Sequence, residues 1–302
     1  MRTGSRAPVI SLFLVLVFSC TPKQAAQVPQ MPGELFFTDA LERRYVLKET
    51  PRRIVSLSPA ITEILFAIGA GEQVVGVTQY CDYPPEAGSR TSVGGFSGAT
   101  MSIEQIRILE PDLVILSADM HARIITLLDE LGLRSFAVEP RNFSQVYSTI
   151  VLMGEITGHV RDAEDVVSEM KNKIARVDES IKERARPGVF WVLSDVPLMT
   201  AGQATFVSEA IDLGGGKNIF DDVREQWPLV SPEQVLFRKP EWILIGSDMT
   251  GAAPLSNPLW QSIPSAREGR IAVVNADILY RYGPRLADGV DSIAKILHAV
   301  IH

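Results

Sequence analysis

Ser102-Ile103-Glu104-Gln105-Ile106-Arg107-Ile108-Leu109-Glu110-Pro111-Asp112-Leu113-Val114-Ile115-Leu116 has a counterpart 129 residues further on, in Ser231-Pro232-Glu233-Gln234-Val235-Leu236-Phe237-Arg238-Lys239-Pro240-Glu241-Trp242-Ile243-Leu244-Ile245, and the two align without gaps. Each copy has the same grammar: a serine N-cap, a glutamine three residues on to complete a capping box, a short helix, then proline and an acidic residue leading into a buried strand. Two copies at this separation predict two similar lobes. A looser echo agrees, since Ile54-Val55-Ser56-Leu57-Ser58 opens the first lobe and Val189-Phe190-Trp191-Val192-Leu193-Ser194 the second. Both are continuous apolar runs leading toward helices, the pattern of a parallel sheet covered on both faces. The expected fold class is therefore α/β, with two similar lobes, each a mainly parallel sheet flanked by helices.

Between the copies, Ala163, Val166, Val167, Met170, Ile174, Val177 and Ile181 recur at spacings of three and four. The pattern predicts one long amphipathic helix, placed at 155–186 and ended by Pro187-Gly188. It would join an N-terminal lobe at 34–154 to a C-terminal lobe at 187–302 as a stiff strut, so large closure on binding is not expected. Two α/β lobes facing each other present the loops after their strands to a shared cleft, where ligands bind in such folds. Aromatic residues make up 7% of the chain, yet Tyr80, Tyr83, Phe96, Trp227, Tyr280 and Tyr282 all fall in those loops. A large, flat, partly apolar ligand suits them.

The N-terminus has the order of an export signal. Arg2 and Arg6 precede the apolar run Val9 to Phe18, and Ser19-Cys20 closes it. The run is about half the roughly 20 residues that a spanning helix needs. Val17-Phe18-Ser19-Cys20 resembles a bacterial lipobox, so residues 1–19 are expected to be removed and Cys20 to carry the lipid, followed by a flexible tether to residue 33. The only other cysteine, Cys81, is then left without a disulfide partner. Removal of the signal leaves 27 basic residues against 36 acidic ones, a net charge of -9. Such a surface argues against nucleic acid and against electrostatic adhesion to membranes. The expected setting is extracytoplasmic, held to the membrane by the lipid on Cys20 alone, and the expected state is a monomer.

Arg53-Ile54-Val55-Ser56-Leu57-Ser58-Pro59-Ala60-Ile61-Thr62-Glu63-Ile64-Leu65-Phe66-Ala67-Ile68-Gly69, then Val75-Gly76-Val77-Thr78-Gln79-Tyr80-Cys81-Asp82-Tyr83-Pro84-Pro85, then Pro111-Asp112-Leu113-Val114, resembles the vitamin B12-binding components of ABC importers. These belong to the helix-linked class of periplasmic binding proteins, which also serves iron-siderophores and haem, and the similarity covers nearly all of residues 36–302. The resemblance implies a cobalamin-contacting role for Tyr80 and a ligand-facing role for Trp227. Phe96 stands where enteric members of the class carry tryptophan, and Asp277 and Arg281 match a second-lobe cluster near the corrin ring. Tyr280 and Tyr282 depart from that pattern within the same wall. Glu104 and Glu233, in the first turn of each repeated helix, look like the pair that docks onto arginines of a permease dimer driven by a cytoplasmic ATPase. A glutamate there is also favoured by the helix dipole alone.

The bound molecule is left as a corrinoid or, alternatively, haem or a ferric siderophore, with a phenolate from Tyr80, Tyr280 or Tyr282 to iron or a pairing of Arg281 with a propionate or siderophore oxygen. No resident cofactor is expected. His121 is the one histidine on a predicted cleft loop, a candidate axial ligand to cobalt or iron, although a polar residue before a helix is the commoner role. Gly214-Gly215-Gly216 before Lys217 lacks the serine or threonine of a phosphate loop and reads as a helix-to-strand turn. Gly-x-Ser-x-Gly, His-Glu-x-x-His and clustered Cys/His ligands are all missing, so an extracytoplasmic enzyme ranks well behind a binding protein.

Overall fold

The apolar runs of the two sequence copies lie in two separate sheets, both parallel throughout. The computed structural model describes residues 35–97, 100–249 and 258–299. The expected signal, Cys20 and the tether lie outside them. An antiparallel hairpin, β1 (Leu35–Thr38) with β2 (Arg44–Leu47), precedes the first sheet. That sheet has the order β5-β4-β3-β6-β7, from β3 (Ile54–Ser56), β4 (Val74–Val77), β5 (Thr91–Ser92), β6 (Leu113–Ser117) and β7 (Ser135–Val138). Its helices are α1 (Pro59–Ala67), α2 (Ile103–Ile108), α3 (Ala122–Glu130) and α4 (Phe143–Thr157). After α5 (Val160–Ile181), the second sheet has the order β11-β8-β12-β13. It is built from β8 (Gly188–Val192), β11 (Lys217–Asn218), β12 (Trp242–Gly246) and β13 (Ile271–Val274), with β9 (Ser194–Asp195) and β10 (Leu198–Met199) as a small antiparallel pair. The remaining helices are α6 (Phe206–Leu213), α7 (Pro232–Arg238), α8 (Pro258–Ser262), α9 (Pro264–Arg267), α10 (Ala276–Tyr280) and α11 (Leu286–His298).

The repeat has a direct structural meaning. The offset of 129 that aligns the sequence copies also carries β6 onto β12, and each lies beside the first strand of its own sheet, β3 or β8. The helix before each is anchored by one fully buried residue, Ile106 on α2 and Val235 on α7. Ile106 packs with Val55, Leu57, Val114 and Leu116, and Val235 with Phe190, Val192, Ile243 and Ile245. Only α7 has the full capping box: the Gln234 amide donates to Ser231 Oγ at 3.3 Å and the Ser231 amide to Gln234 Oε1 at 2.7 Å. On α2 the Gln105 amide donates to Ser102 Oγ, but the Ser102 amide is already used by the Val93 carbonyl at 2.8 Å.

The bridging helix expected at 155–186 is shorter. Gly158, at φ 78°, ends α4 in the left-handed conformation, and α5 starts only at Val160. A Cβ on Gly154 would come within 2.5 Å of Ala163 Cβ, so glycine is what lets the two helices cross closely. At the other end, 182–186 reads Lys-Glu-Arg-Ala-Arg, with no large apolar side chain to continue the buried stripe past Ile181. Between these limits Ala163, Val167, Met170, Val177 and Ile181 are buried, and α5 packs on α4 from the first lobe and α11 from the second. One apolar cluster runs from the inner face of the first sheet through α4, α5 and α11 to the inner face of the second. The described residues from Leu35 onward accordingly form one compact unit.

Candidate functional site

A cleft of about 620 Å³ lies between the lobes, within the usual size range of small-molecule sites. All seven residues proposed from sequence line it: Tyr80, Phe96, Trp227, Asp277, Tyr280, Arg281 and Tyr282. Tyr80 follows β4 through a tight turn, in which the Cys81 amide donates to the Thr78 carbonyl at 3.1 Å. Cys81 itself is buried, with Thr62 Oγ1 donating to its sulfur at 3.2 Å, and acts as the turn's apolar anchor. Phe96 sits on a loop closed by pairing between Gly94 and Met101. Gly94 has φ 103°, and a Cβ there would lie 2.4 Å from the Thr100 carbonyl oxygen, so the turn requires glycine. Trp227 is held by pairing of Leu229 with Met199 and by the Val230 amide donating to Leu198. Tyr280 closes α10, whose N-cap Asn275 accepts from the Asp277 amide at 3.1 Å.

These rings form two opposed groups. In the first lobe Tyr80 meets Phe96 edge-on, with centroids 5.8 Å apart. In the second, Tyr280 stands edge-on to both Trp227 at 5.9 Å and Trp191 at 6.2 Å. Edge-to-face packing fixes each ring while leaving a face of Tyr80 and Trp227 free for a flat partner.

The polar lining includes groups that sequence reasoning missed. Glu139, Pro140 and Arg141, just after β7, face the cleft, and Glu139 Oε2 accepts from Ser117 Oγ at 2.6 Å. Arg141 pairs with Asp119 at 2.5 Å. The acidic-proline-arginine step after β7 was the available signal. Arg281 is in the cleft wall, but three carboxylates hold it: Asp82 at 2.6 Å, Asp277 at 3.1 Å and Glu63 at 3.2 Å. Glu63 also binds Arg285, whose Nε donates to Oε2 at 2.8 Å, and the Arg285 guanidinium lies 3.8 Å above the Tyr83 ring. Glu63 belongs to α1 of the first lobe, and both arginines to the second. Asp82 thus ties the turn before Pro84 to the second lobe, and its carboxyl is held below the usual carboxylate range chiefly by the Arg281 hydrogen bond.

His121 does not reach the cleft. It is 1% exposed, its Nδ1 accepts from the Ser117 amide at 3.1 Å, and its ring is tilted against that of Phe96 at 6.0 Å. Beneath that ring it cannot ligate the metal of a bound molecule, so the axial-ligand reading is corrected. Burial pushes the imidazoles of His121 and His298 below the ordinary histidine value. Unfolding lets both take up protons near pH 6.5, so stability is full above that pH and falls as pH drops through it. Thermal melts are expected to give a melting temperature several degrees lower at pH 5 than at pH 7.5, with the drop reduced in His121→Gln. An unchanged or higher value at pH 5 would contradict this.

Glu104 and Glu233 are exposed and lie outside the cleft, one on the first turn of α2 and one on that of α7. Hydrogen bonding from Ser231 holds the Glu233 carboxyl below its usual range. No helix among the described residues is long and apolar enough to cross a membrane, and no cluster of His, Cys, Asp and Glu among them is arranged to hold a metal ion.

The chain resembles known proteins over most of its length. It is 30% identical over 268 residues to the uncharacterized ABC transporter substrate-binding lipoprotein YvrC of Bacillus subtilis, covering 86% of this chain and 84% of that one. The crystal structure of the periplasmic vitamin B12 binding protein BtuF of Vibrio cholerae matches with a TM-score of 0.72 at 28% identity, over 82% of this chain and 97% of that one. The periplasmic heme-binding protein RhuT of Roseiflexus sp. RS-1, in apo form, matches with a TM-score of 0.73 at 25% identity, over 82% and 98%. The model of the periplasmic binding protein family covers residues 54–278, from the first strand of the first sheet to the helix that carries the second wall of the cleft. With two parallel sheets, one connecting helix and a ligand-sized cleft between them, this chain belongs to the periplasmic binding protein family.

Proposed function

We propose that this protein captures a corrinoid in the interlobe cleft and delivers it to the permease of an ABC importer. The observation that carries the reading is the opposed pair of aromatic walls, Tyr80 with Phe96 and Trp227 with Tyr280, set in a polar rim. Rings stack on the faces of a flat macrocycle, while Asp277, Glu139 and the serine hydroxyls of Ser58 and Ser117 suit hydrogen bonds to peripheral amides. Two features weigh against haem or a ferric siderophore. Both arginines lining the cleft, Arg141 and Arg281, are already ion-paired, so a ligand carboxylate would have to displace an internal one. Burial raises the hydroxyls of Tyr280 and Tyr282 well above the ordinary tyrosine value, which opposes a phenolate from either and leaves the exposed Tyr80 as the one phenolate candidate of the three. Calorimetric titration of the purified protein with cyanocobalamin, haemin and a ferric siderophore tests the choice. Binding of one cyanocobalamin per chain is expected. No heat with cyanocobalamin, together with a haem or iron charge-transfer band, would overturn it.

Glu104 and Glu233 supply the contact with the permease, one from each lobe, which suits a pseudo-twofold carrier on a twofold partner. Replacing both by alanine is expected to leave ligand affinity unchanged and to abolish uptake in cells. A loss of affinity would instead place their function in the cleft. Export and a lipid on Cys20 keep the carrier beside that permease, outside the cytoplasm. Intact mass of the mature protein should show a diacylated N-terminal cysteine, and an unmodified chain beginning elsewhere would refute the anchor.

A further inference from the structure

Two of the three most exposed large hydrophobic residues among those described are Ile108, at 70%, and Phe237, at 85%. They are equivalent positions of the internal repeat, 129 residues apart, and each lies four residues after its glutamate. Residues i and i+4 share one helix face. Ile106 and Val235, two residues from each, point the opposite way into the core. Each lobe thus repeats one three-part arrangement: a buried anchor on one side of a short helix, and on the other an exposed carboxylate with an exposed apolar side chain one turn behind it. Both helices start a few residues after a cleft-lining aromatic, Phe96 before α2 and Trp227 before α7, so the two faces begin beside the walls of the cleft.

We infer that Ile108 and Phe237 are the apolar anchors of permease docking, each filling a pocket of the membrane protein next to the basic group that receives its glutamate. The inference rests on the docking reading above and adds to it the residues that give the contact its lifetime. Charged pairs at a rim set the approach and register of a complex, whereas a desolvated apolar anchor slows its dissociation. A second copy of this chain is a poor occupant, because pairing like faces would set Glu104 or Glu233 against another glutamate. A lipid surface is a poor one too, since an acidic protein with carboxylates beside its apolar tips is repelled by anionic headgroups. What fits is a protein surface with two related copies of a basic site beside an apolar one.

The test places the photoreactive p-benzoylphenylalanine at position 108 or 237 of the full chain, in the native cell envelope, and identifies the cross-linked product by mass spectrometry. Cross-links from both positions to a multi-spanning ABC importer subunit, weakened by Glu104→Ala with Glu233→Ala, are expected. In parallel, Ile108→Ser with Phe237→Ser should weaken binding to that subunit roughly a hundredfold, about tenfold per residue, while melting within a few degrees of wild type. Cross-links solely to lipid or to a second copy of the chain, or none at all, would overturn the inference. The two readings fail differently. If the glutamate variant loses uptake while the serine variant keeps it, the apolar anchors are wrong and glutamate docking stands. If both variants keep full uptake, docking through these helices is wrong altogether.

Discussion

Glu63→Ala is expected to lower unfolding free energy by about 3–5 kcal/mol, the range for breaking a buried ion pair from one side. Glu63 is 3% exposed in the middle of α1, and alone there its charge would be prohibitive. Arg281 and Arg285 reach it from the other lobe, with side chains 13% and 17% exposed. Removing the carboxylate takes from Arg285 the anion it pairs with across the joint between the lobes. Asp82 and Asp277 still hold Arg281, so Arg285 carries most of the loss. For a body of this size the change corresponds to a fall of roughly 10 °C in melting temperature, at about 2–4 °C per kcal/mol. Glu63→Gln, which keeps the shape and one hydrogen-bonding oxygen, should fall between. Chemical denaturation of the three proteins checks the order, and a Glu63→Ala variant within 1 kcal/mol of wild type would show that the interlobe pair is not structural.

Trp227→Ala is expected to weaken cyanocobalamin binding about a hundredfold or more, as loss of a central aromatic anchor does, with little change in melting temperature. Trp227 is only partly buried and borders the cleft, and its edge contact with Tyr280 orients the second wall. Trp227→Phe keeps a ring face and should recover most of the affinity. Calorimetry on the three proteins decides it; equal affinities for alanine and wild type would remove Trp227 from the site.

Much of this organisation is legible in the sequence, because a duplicated fold writes its grammar twice. The Ser-x-Glu-Gln start and the Pro-acidic entry to a strand recur at one offset, and that offset returns as the equivalence of β6 and β12. The cleft aromatics are legible for a related reason: they sit in loops just after apolar runs, and loops after parallel strands converge on one edge. Long-range pairing is what local reading misses. Asp82 reads as a turn residue from its Pro84-Pro85 neighbours, and nothing near it in sequence names Arg281, 199 residues away, as its partner. Glu63 likewise looks like an ordinary helical glutamate until the second lobe arrives. His121 misleads in the opposite direction, since its loop does face the cleft while its own ring is turned beneath Phe96. The bridging helix is overextended for a simpler reason: its apolar stripe begins only at Ala163 and so does not fix where the helix starts, and the left-handed backbone at Gly158 shows the break.

The central claim, that the interlobe cleft holds a corrinoid between two aromatic walls, is tested most directly by diffraction from crystals grown with cyanocobalamin, using the anomalous signal of cobalt to find the metal. A single cobalt peak is predicted in the cleft, between the Tyr80–Phe96 pair and the Trp227–Tyr280 pair. A peak on any other surface, or none at saturating cyanocobalamin, would contradict the account.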